Sequence, residues 1–328
     1  MARASHSHTP HVVADRIDAG QLTKLITRCQ FSRSQAADQS RIQCAARTTL
    51  STTKPQRPCS AVPARFRVDR RPLFSMDHLL RATAQAEARH FWFHGFRAFV
   101  EPLVRQATAG ASARILDCGC GTGANVAWLG RFGRTYGFDL SQTGVRFGRE
   151  AGRTTLVRAS VTAAPFPSAA FDLVTSFDVL YSLDESQEHA ALNEMFRVLK
   201  PGGFAIINVA ALEILRGDHS VLSHERRRYT RSMLRLSLAG AGFSIVRLTY
   251  TNTVLFLPLV VTRTLQRWRG LKPEDGAHGE ITVPAAPINA MLTRLLLIES
   301  AWIRRFNAPF GSSLLCLARK PSERSRTA

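Results

Sequence analysis

Short apolar runs and segments of helical period alternate along most of the chain. Leu80, Ala84, Ala88, Phe91, Trp92, Phe96, Phe99 and Val100 recur at helical spacing and predict a helix with a broad apolar face, whose far end Gly95 and Pro102 blur. Ile115 and Leu116 read as the end of a buried strand, with a helix starting after Gly123. Further strands are predicted over 134–140, 154–159 and within 171–178, the last with the apolar character of a buried parallel strand. Leu192, Met195, Phe196, Val198 and Leu199 mark an amphipathic helix that stops at Lys200-Pro-Gly-Gly203 and feeds a strand over 204–209. A helix to about Gly242, a strand over 243–248, an apolar run over 254–261, a helix over 289–303 and a strand over 312–318 complete the pattern. Strand, helix and turn in this order predict an α/β doubly wound sheet.

The chemistry concentrates in Ala113-Arg-Ile-Leu-Asp-Cys-Gly-Cys-Gly-Thr-Gly-Ala-Asn125. Glycine at 119, 121 and 123 removes every second Cβ, so a ligand can approach the main chain closely. Gly119, Gly121 and Ala124 also satisfy a dinucleotide fingerprint, with Asp139 at a suitable distance beyond. Asp117 tips the balance: a carboxylate there would repel a pyrophosphate but attract an ammonium or a sulfonium. The acid-x-Gly-x-Gly-x-Gly loop and the Leu-Lys-Pro-Gly-Gly turn resemble the class I S-adenosylmethionine-dependent methyltransferases. That resemblance implies S-adenosylmethionine as cofactor and a mostly parallel seven-stranded sheet with its last strand antiparallel, here with helical insertions near the C-terminus. It also implies that Glu87-Ala-Arg-His-Phe-Trp92 caps the cofactor cleft. The cofactor contacts it suggests are Asp117, Gly119, Cys120, Gly121, Gly123, Asp139, Leu140, Ser160, Val161, Phe177 and Asp178. At the carboxyl edge Asp139 can accept both ribose hydroxyls. Ser160 stands where the family commonly has an acid for the adenine amino group, which leaves its hydroxyl and the backbone of Val161. Tyr181-Ser182 replaces a common Glu-His pair.

Composition adds boundaries. Of the net charge of +20, residues 1–75 hold 13 Lys and Arg against 4 Asp, with no sustained apolar period. They are expected to be a disordered basic tail or an over-extended start before Met76. Residues 76–321 then form the methyltransferase domain: a helical cap (76–110), a cofactor-binding core (111–210) and substrate-side insertions (211–310), followed by a polar tail (322–328). Six cysteines suit a reducing cytoplasm, and no second pair accompanies Cys118 and Cys120 at zinc-site spacing, so no metal is expected.

The acceptor is less legible. By position, Tyr181, His219 and His224 are the candidates for a general base. Arg226, Arg227 and Arg228 form either a solvated face or an anion clamp over the cleft. The apolar run 254–261 with Leu265, Trp268 and basic Arg263, Arg267 and Arg269 reads as a pocket wall or as an interfacial helix touching a membrane over 254–269, Pro258 and shortness excluding a span. A small or lipid-linked acceptor is expected, in a cytoplasmic protein with peripheral membrane contact. The alternatives are a nucleic-acid methyltransferase, suggested by charge but lacking the Asn/Asp-Pro-Pro-aromatic tetrapeptide, and a cofactor-binding protein without catalysis.

Overall fold

The computed structural model describes Leu80 and residues 83–109, 112–272 and 282–322. The expectations for 1–75 and most of the last tail lie outside those residues. Seven strands form one sheet in the order β3-β2-β1-β4-β5-β7-β6: β1 Ala113–Cys118, β2 Gly133–Asp139, β3 Leu156–Arg158, β4 Phe171–Phe177, β5 Leu199–Ala210, β6 Ser244–Thr251 and β7 Ser313–Arg319. The first five pair in parallel, and β7 runs antiparallel to both β5 and β6. Because β1 has β2 on one side and β4 on the other, the winding reverses beside β1, and a crevice opens there at the carboxyl edge.

The strands form where apolar runs are covered on both faces: Ile115, Leu116, Leu173, Val174, Ala205 and Ile206 are all buried. Helices start where a side chain can satisfy the first free amides. Ser141 caps α3 (Gln142–Glu150) by accepting from Gly144 N, and Asp184 with Gln187 makes a capping box at α4 (Glu185–Val198), while α2 (Ala124–Leu129) follows directly on the glycine loop. The Lys200-Pro-Gly-Gly turn lies within β5 instead of preceding it. Gly202 takes φ +81° and donates its amide to Lys320 O, so pairing with the end of β7 carries the strand through the turn.

The first helical segment differs from expectation. The break falls at a turn over 87–89, and α1 (Phe91–Ala107) runs on through Gly95 and Pro102. Gly95 is required there, since a Cβ would lie 2.3 Å from Leu296 Cδ1 of α8 (Ala286–Ile303). Short α5 (Asp218–Leu222), α6 (Arg231–Gly240) and α7 (Phe256–Trp268) make up the insertions after β5.

Candidate active site

The glycine loop is folded back on β2 by two amides, Gly119 and Cys120, that both donate to Phe138 O (2.8 and 3.0 Å). Gly121 takes φ +54°, and a Cβ there would find only Leu80, at 3.6 Å, so this stretch of backbone faces open space beneath one side chain. Asp139 fixes the loop from the next strand: one oxygen accepts from Gly121 N and the other from Ser141 N, both at 2.8 Å. Burial pushes its carboxyl up against the pull of these amides. Asp117 is buried, accepts from Thr175 Oγ1 at 2.6 Å, and is pushed up to about 7, mainly by burial and also by the charge of Asp139.

The segment ahead of α1 reaches this loop. Glu87 is buried and accepts from Thr122 Oγ1 (2.9 Å), and Arg153 bridges Glu87 (3.4 Å) to Thr122 O (2.7 Å). His90 caps α1, its Nδ1 accepting from Trp92 N at 3.2 Å, and burial lowers its pKa.

Beyond β4 the chain turns at Asp178, held at φ +59° by two bonds to Asn208: its amide donates to Asn208 O and its carboxylate accepts from Asn208 Nδ2, both at 3.0 Å. Asp178 opens onto a cavity of about 510 Å³. Phe91, Trp92, Phe93, Leu215, Leu255 and Leu259 supply its apolar wall; Tyr181, His219, Ser223, Glu225, Arg228, Ser312 and Ser313 supply polar groups. This size and lining suit a small molecule or one end of a longer one. Burial and the neighbouring Glu225 push Asp178 up to about 7, against the donation from Asn208 and the charge of Arg228. Ser312 Oγ is buried in the wall with no hydrogen-bond partner among the described residues.

The structure separates the sequence-predicted residues. Asp117, the three glycines and Asp139 meet around one loop; Leu140 stands beside them, 65% exposed for a leucine. Phe177 packs edge-on against Phe96 at 4.9 Å between ring centres. The side chain of Cys120 packs into the core with Val126, Val145 and Leu156, so its backbone is what it offers a ligand. Ser160 Oγ is already engaged by the hydroxyl (2.8 Å) and amide (3.2 Å) of Thr162, and Val161 follows it half-buried. Tyr181 and His219 line the cavity, with His219 Nε2 3.1 Å from Ser223 Oγ. Burial and the charges of Asp178 and Glu225 hold the Tyr181 phenol far above its usual pKa, so it cannot serve as a base near neutrality. His224 is exposed and absent from the cavity wall.

The three arginines do not converge either. Arg226 is exposed, Arg227 pairs with buried Glu188 (2.9 Å), and only Arg228 reaches the cavity, neutralised by Glu225 at 2.8 Å. Asp178 as an acceptor-side group, Glu225 and Ser312 escaped the sequence reading, which had His90 only as part of the cap Glu87-Ala-Arg-His-Phe-Trp92. The one available signal was the acid that ends the β4 run.

A family model described as a methyltransferase domain matches residues 116–207, from β1 into β5. The malonyl-[acyl-carrier protein] O-methyltransferase of Enterobacter lignolyticus is 31% identical over 224 residues, covering 65% of this chain and 83% of that protein. The chain belongs to the class I S-adenosylmethionine-dependent methyltransferases. The ubiquinone/menaquinone biosynthesis C-methyltransferase of Pseudoalteromonas translucida is 30% identical over 145 residues, 40% of this chain, and the chain spans only 55% of its length. A chain in the solved complex of the Haloferax volcanii Trm112 methyltransferase activator shares the fold at a TM-score of 0.50, with 19% identity over 76% of this chain and 99% of that one. S-adenosylmethionine is accordingly the cofactor of this methyltransferase domain. Its residues fit: the loop backbone is open at Gly121, and the acids nearest to it, Asp117 and Asp139, suit a cationic ligand better than a pyrophosphate.

Proposed function

We propose that the protein transfers a methyl group to a small-molecule or lipid-linked acceptor held in the cavity beside Asp178. The observation that carries this reading is the position of the cavity: it opens at the carboxyl end of β4, next to the loop of the cofactor, and it is largely apolar with a few convergent polar groups. Bound S-adenosylmethionine supplies an activated methyl group. The chain's own work is to hold, orient and dry the reactants. Asp139, with both oxygens steadied by backbone amides, keeps lone pairs for the ribose hydroxyls, and Asp117 offers its carboxylate to the cationic end. Leu140, Phe177 and the backbone at Gly119, Gly123 and Val161 complete the contacts. Trp92 and its neighbours cover the acceptor and exclude water. Asp178, poised near neutrality, takes the proton that an acidic C–H or O–H acceptor must lose.

Relatives named for ubiquinone and menaquinone biosynthesis and for malonyl-[acyl-carrier protein] support acceptors of both the carbon and the oxygen kind. Against a nucleic-acid acceptor stands the pairing of Arg227 and Arg228 with buried glutamates. The test is incubation with methyl-labelled cofactor and a cell extract, followed by separation of lipid, small-molecule, protein and nucleic-acid fractions. Label in the lipid or small-molecule fraction is expected. Label in nucleic acid, or none above a no-enzyme control, would contradict the reading.

A further inference from the structure

We propose that α7 docks on the surface of an anionic lipid bilayer through its outward apolar stripe. Helix α7 contains no buried residue although most of its side chains are apolar. Its two sides have different tasks. Leu255, Leu259 and Arg263, four residues apart, line the cavity. Leu257, Val261, Leu265 and Trp268 lie about 200° round the helix from them and face away. They are strongly exposed, Leu257 at 70% and Trp268 at 87%.

Neither the core nor the cavity accounts for this second stripe. Exposed contiguous apolar surface of this kind marks a docking face. Helix α8 adds exposed Ile288, Met291, Leu295, Ile298 and Trp302 at helical spacing. The segment leading into α7 is tied to α8 where Glu299 accepts from Thr253 N (2.7 Å) and Val254 N (3.1 Å), and Phe256 of α7 lies 5.1 Å from Phe310, in the stretch after α8.

Charge identifies the occupant. Residues 254–272 and 282–298 include no acid; Arg263 faces the cavity and Arg269 is paired with Asp218 (2.8 Å), which leaves Arg267, Lys272 and Arg294 to give the flanks of the stripe a positive balance. A second copy of the chain would bring these like charges together, whereas phosphate-bearing headgroups complement them. The order of side chains, aliphatic and aromatic on one side with Arg at the flank, is that of a helix lying in the interface plane. Among the described residues no helix is long and apolar enough to cross a membrane, so the contact is peripheral. The docking face is the opposite side of α7 from the cavity, so it stands or falls separately from the methyl-transfer reading.

Cosedimentation with vesicles of equal parts phosphatidylcholine and phosphatidylglycerol tests it. The full chain should pellet with these vesicles, less with phosphatidylcholine alone. Replacing Leu257, Val261, Leu265 and Trp268 together by Gln should weaken binding about tenfold or more, while cooperative unfolding and cofactor binding persist as checks on the fold. Equal binding by wild type and variant, the outcome if the basic residues 1–75 alone attract the lipid, would overturn the proposal. So would absence of vesicle binding, or a dimer in sedimentation that the four substitutions dissociate.

Discussion

Three carboxyl groups set the chemistry, and each lies at the carboxyl end of a strand. Asp117 carries the clearest consequence for stability. Its folded pKa of about 7 lies above the value of an unfolded aspartate, so both states are protonated at low pH and the unfolded state releases its proton first as pH rises. Stability of the cofactor-free protein should therefore fall between about pH 4 and pH 7. Asp117→Asn keeps an oxygen for Thr175 and removes this part of the slope. The variant should be stabler than wild type by on the order of 3 kcal/mol near pH 8 and nearly equal near pH 4. Urea unfolding at both pH values checks this; a variant less stable at the higher pH would show that the carboxylate is compensated there. The acids were legible because a charged residue closing an apolar run has few places to go except the edge of a sheet. The partners of Asp178 were not, since Asn208, Glu225 and Arg228 reach it from other elements and only the fold brings them near.

Among the elements, strands and helices followed the apolar pattern because burial dictates period. The departures have local causes. The predicted continuous helix from Leu80 breaks over 87–89, where Glu87 serves the glycine loop and His90 caps a fresh start. That contact makes the cap an extension of the cofactor site. Glu87→Ala leaves Thr122 and Arg153 without their carboxylate and should raise the dissociation constant for S-adenosylmethionine about tenfold, which is roughly 1.4 kcal/mol and within reach of one charged hydrogen bond. Calorimetry showing unchanged affinity would reduce the contact to a structural detail. The arginine run illustrates the limit of composition. Three adjacent guanidiniums suggested a clamp, yet the backbone sends them in different directions. Arg226→Gln should leave stability and turnover unchanged, whereas Arg228→Gln strands buried Glu225 and should cost about 3 kcal/mol or more. Denaturation of the two variants separates these outcomes.

For the molecule as a whole, the winding reversal beside β1 places the cofactor loop and the β4 turn on one edge, and the segments around α1 and α7 cover that edge. Family membership, and with it the mostly parallel seven-stranded sheet with an antiparallel last strand, was legible from two glycine motifs. Of the cavity, the wall over 254–261 was legible as an apolar run; how Asp178 and Ser312 join it was not, because they come from segments far apart in the chain. The central claim is that these parts work together in methyl transfer, with Asp178 receiving the proton. Single-turnover transfer from methyl-labelled S-adenosylmethionine into an added lipid and small-molecule extract, followed against pH for wild type and Asp178→Asn, tests this most directly. The account predicts a wild-type rate that rises as pH passes about 7, and a variant that binds the cofactor equally but transfers at least about a hundredfold more slowly, without that rise. Equal rates and the same pH profile in both proteins would contradict it.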